Sequence, residues 1–453
     1  MSQHSSVNVQ DFINEHPFSG FQWLIFTLCL VIVLLDGFDT AAIGFIAPSL
    51  VTEWHISKPM LAPVLSAALF GLAFGAIVAG PLSDRIGRRS LLIGSTILFG
   101  IACLASAFVA DISQLTIARF ITGIGLGAAM PNAVTMTSEF CPDTRRAMLT
   151  NLMFCGFPLG AACGGFLAAW MIPQFGWHSV LLLGGITPLV LAAVMLFKLP
   201  ESIRYMVSKP FSGDAIRAVL RRISPDANAM PSFEMNAAPQ GGSHKGGIRV
   251  VLSRRYIVGS LMLWVAYFMG LVIFYAVINW MPILLKDSGL SPRGATLISA
   301  LFPLGGIGAV LSGIFMDRFS PDRVVAACYA LTAVSVCLIG QVIGNVGLLI
   351  VFVLLSGVLM NTAQVSLPSL AAAFYPTEGR GTGVAWMLGI GRFGGVAGSF
   401  LVAELTREHA SLAGIFATLA IGGIVAAIAL MIKHWGRRGE SSSQNGIRES
   451  VMH

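Results

Sequence analysis

The sequence predicts an all-α membrane protein of twelve transmembrane helices, arranged as two six-helix bundles. Three observations carry this. The first is composition: 55% of the 453 residues are hydrophobic and 11% are charged, with a mean hydropathy of +0.80. A water-soluble domain carries about 25% charged residues, because its cores must be covered by polar surface. The second is a set of apolar runs, six on each side of one long polar gap. The third is a pair of loop sequences that recur in the second half of the chain at nearly one offset.

Each crossing takes about 20 mostly apolar residues. Runs of that kind fall at 22–48, 61–81, 90–110, 114–137, 147–171 and 177–197, then at 256–284, 294–315, 323–342, 346–372, 381–403 and 411–432. The first twenty residues hold no Lys or Arg, and the apolar stretch after them outlasts a signal-peptide core. The first span is therefore expected to insert uncleaved. The domain plan is a tail (1–21), a first bundle (22–198), a linker (199–255), a second bundle (256–432) and a second tail (433–453). The middle of the linker, 225–247, is rich in Pro, Gly, Ala and Asn and reads as a flexible joint.

Basic residues set the expected orientation. With both termini in the cytoplasm, 22 of the 28 Lys and Arg residues fall on the inner side and four on the outer, and Arg119 and Arg392 fall within spans. A missing span would swap the sides of everything after it. The net charge of +7 then belongs to the inner membrane surface and calls for no nucleic acid. The loop repeat agrees: GPLSDR (80–85) is echoed by GIFMDR (313–318), and PDTRR (142–146) by PTEGR (376–380), at offsets of 233 and 234. Both echoes fall in equivalent inner loops, as duplication of a six-helix unit requires.

Charges inside spans are costly, about 2.5–3.5 kcal/mol each on insertion scales, so the few present carry information. Asp36 and Asp39 stand three apart, on one face of the first span. Two carboxylates that close resist double ionisation, which suits a pair that takes up a proton at one membrane face and releases it at the other; the competing reading makes one of them a structural partner for an Arg. Arg392 lies roughly 16 Å into the eleventh span, and its planar fork suits a substrate carboxylate; the alternative is an ion pair with Asp36 or Asp39. Arg119, near the outer end of the fourth span, either extends to the interface or pairs with an Asp of the first span. Glu139 precedes a repeated inner loop, whereas Glu404 and His178 read as interfacial.

Tyr267, Trp386 and Phe393 are candidate walls of a pocket, with Asn279, Asn361 and Gln364 as hydrogen-bonding groups; packing is the competing reading for each aromatic. The GxGxxG match at Gly389, Gly391 and Gly394 lacks a preceding strand and lies within an apolar span, so it marks close helix approach and no nucleotide. No Lys is followed by Ser or Thr, no HExxH occurs, and seven cysteines without a CxxC pair support neither disulfides nor zinc. No nucleophile, metal or cofactor arrangement is present, so an enzyme is disfavoured and no cofactor is expected. Energy for transport has to come from an ion or substrate gradient.

Taken together these residues resemble the major facilitator superfamily and, within it, the aromatic acid:proton symporters. GPLSDRIGRR (80–89), RFITGIGLGAAMPN (119–132) and LPESIRYM (199–206) carry the broader likeness; DGFDTAAIGFIAP (36–48) and MLGIGRFGG (387–395) carry the narrower one. The resemblance covers nearly all of the chain outside the linker and the second tail. It implies uptake of a benzoate-type anion, such as 4-hydroxybenzoate or protocatechuate, together with protons. It places Asp36, Asp39, Arg119 and Arg392 in functional positions. It also implies that Asp84, Arg85, Arg88, Arg89 and, in the later loop, Arg380 latch the inner side. The expected setting is a bacterial inner membrane, with the chain working as a monomer. One departure stands out: Asp322 follows Pro321, where the nearest 4-hydroxybenzoate carriers are expected to have His, which leaves the role of that position open. Two rivals remain at this level, a proton-driven exporter and a membrane sensor that binds the acid without moving it.

Overall fold

Apolar side chains all round, over 19 to 34 residues at a stretch, leave a helix as the way to satisfy every backbone polar group in lipid. The computed structural model describes residues 7–209, 211, 213–229, 233–234, 244–306 and 320–451. Among them, eleven helices are long and apolar enough to cross a membrane: Gly20–Glu53, Lys58–Ile86, Arg88–Ser106, Ile112–Phe140, Asp143–Phe175, His178–Lys198, Ile257–Asp287, Pro321–Ile339, Val346–Phe374, Gly379–Arg407 and Leu412–Trp435. They are called the first to seventh and ninth to twelfth spans. The expected eighth span starts with helix Pro292–Leu304; Asp317 and Arg318 of the loop repeat lie outside the described residues.

Most helices overrun the apolar runs that announce them. The first continues through Pro48 to Glu53 and the second through Pro81 to Ile86. A proline deletes one backbone hydrogen bond, a loss that packed neighbours and hydroxyl side chains absorb in a membrane helix. Helix starts follow side-chain chemistry. Asp111 accepts from the N–H groups of Ser113 and Gln114 at 2.8 and 2.9 Å, and Ser291 and Asn345 cap later helices in the same way. Gly87, at φ 94°, turns the second span into the third.

The chain divides into two compact units, residues 1–42 with 67–239 and residues 43–66 with 240–453. Glycines set the close crossings inside each. In the first unit, a Cβ on Gly123 or Gly127 of the fourth span would collide with the backbone at Ala68 or Leu72 of the second. In the second unit, Gly394 and Gly398 of the eleventh span lie against the backbone at Phe268 and Val272 of the seventh. Lipid tails are as apolar as Leu, so such van der Waals contact takes the place of a hydrophobic drive between spans.

Two regions, the amino-terminal tail and the linker, hold elements that escape the apolar-run reading. Helix Val9–Glu15 is capped by Asn8 and buries Val9, Phe12 and Ile13. The expected linker holds helices Ile203–Ser208, Gly213–Leu220 and His244–Val251. The two-residue segments Val7–Asn8 and Phe233–Glu234 pair in parallel. Each of these is too short for a spanning window to register.

Candidate functional site

The first unit brings three spans together on one carboxylate. Asp39 and Arg119 are both 0% exposed. Arg119 Nη1 donates to Asp39 Oδ1 at 2.7 Å and Nη2 donates to Oδ2 at 2.5 Å, a two-point fork. Nη2 also reaches the Asp39 carbonyl at 3.3 Å. The Arg119 stem therefore points inward and does not extend to an interface. Cys103 of the third span adds a third donor, its Sγ lying 3.3 Å from Asp39 Oδ1. Asp36, one turn earlier on the first span, is 2% exposed. A buried ion pair is held only when geometry and extra hydrogen bonds offset desolvation, and here both are present.

In the second unit, Arg392 is half-buried on the eleventh span, beside Gly391. The Tyr267 ring occupies the space that a Gly391 side chain would fill, and Tyr267 is near enough to interact with both Arg392 and Gln364. Tyr329 donates its hydroxyl hydrogen to Gln364 Oε1 at 2.8 Å, and both groups lie over Gly270, which has no side chain to displace them. Trp264 and Trp386 stand with ring centroids 5.8 Å apart. A guanidinium beside an aromatic ring is chemically suited to a flat anion, with a planar fork for a carboxylate and a ring face for an apolar body. Gln364 Nε2, Trp264 Nε1 and Asn279 Oδ1 are buried atoms with no hydrogen-bond partner among the described residues. Asn279 Nδ2 reaches Ser399 Oγ at 3.5 Å, and Asn361 Nδ2 donates to the Gly357 carbonyl at 2.7 Å. Phe393 is 55% exposed, so its ring stands off the packed face of its helix.

The arginine-rich turn after the second span is tied down within the first unit. Arg88 Nη2 lies 3.3 Å from Glu139 Oε1, and Arg88 Nη1 donates to Ser202 Oγ at 3.2 Å. Ser202 Oγ in turn donates to Glu139 Oε2. Glu201 Oε1 accepts from the backbone N–H groups of Arg88 and Arg89, each at 3.0 Å, so it caps the third span where the helix dipole favours a negative charge. Arg89 Nη2 donates to the Leu196 carbonyl at 2.5 Å. Asp84, Arg85 and, in the second unit, Arg380 are exposed. Glu404 is exposed and pairs with Arg407.

Asp322 acquires a definite setting. It is buried, with Lys433 Nζ 2.6 Å from Oδ1 and His434 Nδ1 3.6 Å from Oδ2. Arg323 Nε donates to His434 Nε2 at 3.2 Å. The start of the ninth span is thereby fastened to the end of the twelfth. Sequence reasoning missed Cys103, Tyr329, Trp264, Glu201 and Ser202 as members of these clusters. Only LPESIRYM drew attention to the last two, and nothing local in an apolar run distinguishes Cys103 or Tyr329 from packing. Among the described residues, no three His, Cys, Asp or Glu side chains converge to hold a metal ion.

Comparison with known proteins matches this arrangement to a family. A family model described as the Major Facilitator Superfamily matches residues 29–315 and 281–452. A 4-hydroxybenzoate transporter of Pseudomonas aeruginosa is 48% identical over 428 residues, which make up 94% of this chain and 96% of that relative. A gallate transporter of Pseudomonas putida is 42% identical over 426 residues, 94% of each chain. Among solved structures, the xylose transporter of E. coli superposes with a TM-score of 0.71 at 19% identity, covering 90% of this chain and 95% of that one. That likeness is one of fold, and it supports the expected two-bundle plan, of which eleven spans lie among the described residues. Matched by the family model and by such relatives over nearly its whole length, the chain belongs to the Major Facilitator Superfamily.

Proposed function

We propose that this protein is a proton-coupled symporter that imports an aromatic carboxylate of the hydroxybenzoate type. It would work by alternating access, as a monomer in a bacterial inner membrane with both termini in the cytoplasm. The substrate class is supported by the relatives named for 4-hydroxybenzoate and gallate transport. The coupling is supported by the observation that carries the reading, the wholly buried Asp39–Arg119 pair with Asp36 one turn away.

The two units divide the work. In the first, a proton delivered to the Asp36 and Asp39 pair removes negative charge from the Arg119 fork, which then loses its reason to stay closed. In the second, Arg392 takes the carboxylate, with Tyr267, Trp386 and Phe393 as apolar walls and Gln364 and Asn279 as polar groups for ring substituents. Symport follows when each ligand changes the population of states as well as binding. Asp84, Arg85, Arg88, Arg89, Glu139 and Arg380 serve as the inner latch in this scheme, with Arg88 and Glu139 already paired.

The test is uptake of labelled 4-hydroxybenzoate into proteoliposomes under an imposed acid-outside gradient. Accumulation that collapses on addition of a protonophore is expected. Uptake indifferent to the protonophore refutes coupling, and accumulation only with an acidic lumen marks an exporter instead.

A further inference from the structure

The Asp39 fork has a third member whose place in the fold is built with care. Cys103 sits on the third span, 64 residues from Asp39, and is 1% exposed. Its Sγ lies 3.3 Å from Asp39 Oδ1, the oxygen that also accepts from Arg119 Nη1 at 2.7 Å. On its other side the thiol lies 3.5 Å from the Leu181 carbonyl of the sixth span. Gly184, one turn beyond Leu181, makes the room: a Cβ there would come within 3.1 Å of both Cys103 Sγ and the Phe38 ring. Gly185 brings the two helices together, since its Cβ would lie 2.6 Å from the backbone nitrogen of Leu104. The thiol is thus seated by one helix so that its hydrogen is offered to a carboxylate on another.

A thiol is a weak donor. Away from water, a hydrogen bond to an ionised group counts for more than it does at a surface. Of the two forms of Asp39, the carboxylate accepts more strongly from Cys103 and Arg119 at Oδ1, because it carries the negative charge that the neutral acid lacks. We infer that Cys103 is a positioning residue for the proton-coupling pair: its thiol holds the ionised Asp39 carboxylate in the Arg119 fork and so sets the pH at which the fork opens. Among the described residues, Arg119 from the fourth span and Cys103 from the third bond to Asp39, and Asp36 stands one turn away on its own helix. The fifth span meets this stretch through Phe157 and Gly164, and the sixth through Leu181 and Gly184, none of them titratable.

This inference rests on the coupling role proposed for Asp36 and Asp39, and the test separates the two. Uptake of labelled 4-hydroxybenzoate into proteoliposomes is measured against external pH for the wild type, Cys103→Ala and Cys103→Ser. In the alanine variant the carboxylate loses a donor, so a proton competes better with the fork. The midpoint of the pH profile then moves to higher pH by about half a unit to one unit. Serine keeps a donor at the same place, and its profile stays with the wild type. An alanine profile that coincides with the wild type overturns the role of Cys103. So does a serine profile that moves as far as alanine, because that reports altered packing and not a lost donor. Should the alanine protein fail to insert stably, Cys103→Val fills the volume without a donor and is judged by the same outcomes. Wild-type uptake indifferent to a protonophore sinks the coupling reading itself, whereas a coincident alanine profile in protonophore-sensitive protein leaves that reading standing.

Discussion

Asp39 and Arg119 stand 80 residues apart in the chain and meet in a two-point ion pair from which solvent is excluded. Removing one partner leaves an uncompensated charge in a low-dielectric interior. Arg119→Ala is therefore expected to cost about 3–5 kcal/mol of stability. The double neutral variant Asp39→Asn with Arg119→Gln restores hydrogen bonding without charge and recovers most of that loss. Thermal melting in detergent reads the order, wild type above or near the double variant and Arg119→Ala well below. Neither variant is expected to accumulate substrate against its gradient. An Arg119→Ala protein that melts with the wild type removes the basis of the argument.

Arg392 is expected to carry the anion and not the fold. Half-buried beside the Tyr267 ring, it is expected to offer a carboxylate a charge-assisted pair of hydrogen bonds. Arg392→Ala should raise the Kd for 4-hydroxybenzoate by roughly ten- to a hundredfold, the range of about 1.5–3 kcal/mol for hydrogen bonds to charged groups. Arg392→Lys keeps the charge and loses the fork, so its Kd should fall between the two. Calorimetric titration of purified protein measures both, and equal Kd for wild type and alanine contradicts the assignment.

Asp322 and Lys433 form a second buried pair, at 2.6 Å, that fastens the ninth span to the twelfth. Its position within one bundle predicts a structural role. Asp322→Ala should lower stability by about 3–5 kcal/mol, while the KM of the protein that folds stays at its wild-type value. Asp322→Asn, which still accepts from Lys433, should lose less. A changed KM with unchanged melting would contradict this division.

The amino-terminal tail and the linker meet outside the spans through His16 and Asp226, with Nε2 3.0 Å from Oδ2. The Phe12 carbonyl, which accepts from Nδ1, and then Asp226 hold the His16 pKa above its ordinary 6.5 against an opposing effect of burial. The Asp226 pKa is held below 3.8, chiefly by the hydrogen bond from His16. A raised imidazole pKa stabilises the folded contact fully below about 6.5 and loses that effect as pH rises through the raised value. A depressed carboxyl pKa stabilises above about 3.8 and loses its effect as pH falls through the lowered value. The contact is thus strongest in mild acid and loosens as the solution turns alkaline. NMR titration of the His16 imidazole should give a pKa above 6.5 in the wild type. It should be lower, though still supported by Phe12, in Asp226→Asn; identical values in the two proteins would show that the contact does not form.

Much of the architecture is written in local chemistry. The eleven crossings among the described residues follow from runs such as 22–48 and 256–284, because lipid demands a helix wherever 20 apolar residues stand together. The two-fold plan follows from GPLSDR and GIFMDR. Asp36, Asp39, Arg119 and Arg392 are conspicuous because a charge within an apolar run needs a reason. Helix Val9–Glu15 and the helices of 203–251 were not legible in the same way, since six to eight residues with one apolar side look like ordinary polar loop.

By itself, then, the sequence determined the membrane as solvent, the places of the eleven crossings among the described residues and the presence of a few costly charges, all properties that depend on residues near one another along the chain. Only tertiary structure decided which polar and charged groups meet. Arg119 takes Asp39, Asp322 takes Lys433, and Tyr329 takes Gln364, at separations of 80, 111 and 35 residues. Such pairings depend on how helices cross, and the crossings are set by where glycines let backbones touch. Cys103 shows the limit most plainly: in the chain it is one apolar residue among many, and it becomes a donor to Asp39 only because Gly184 and Leu181 seat it there.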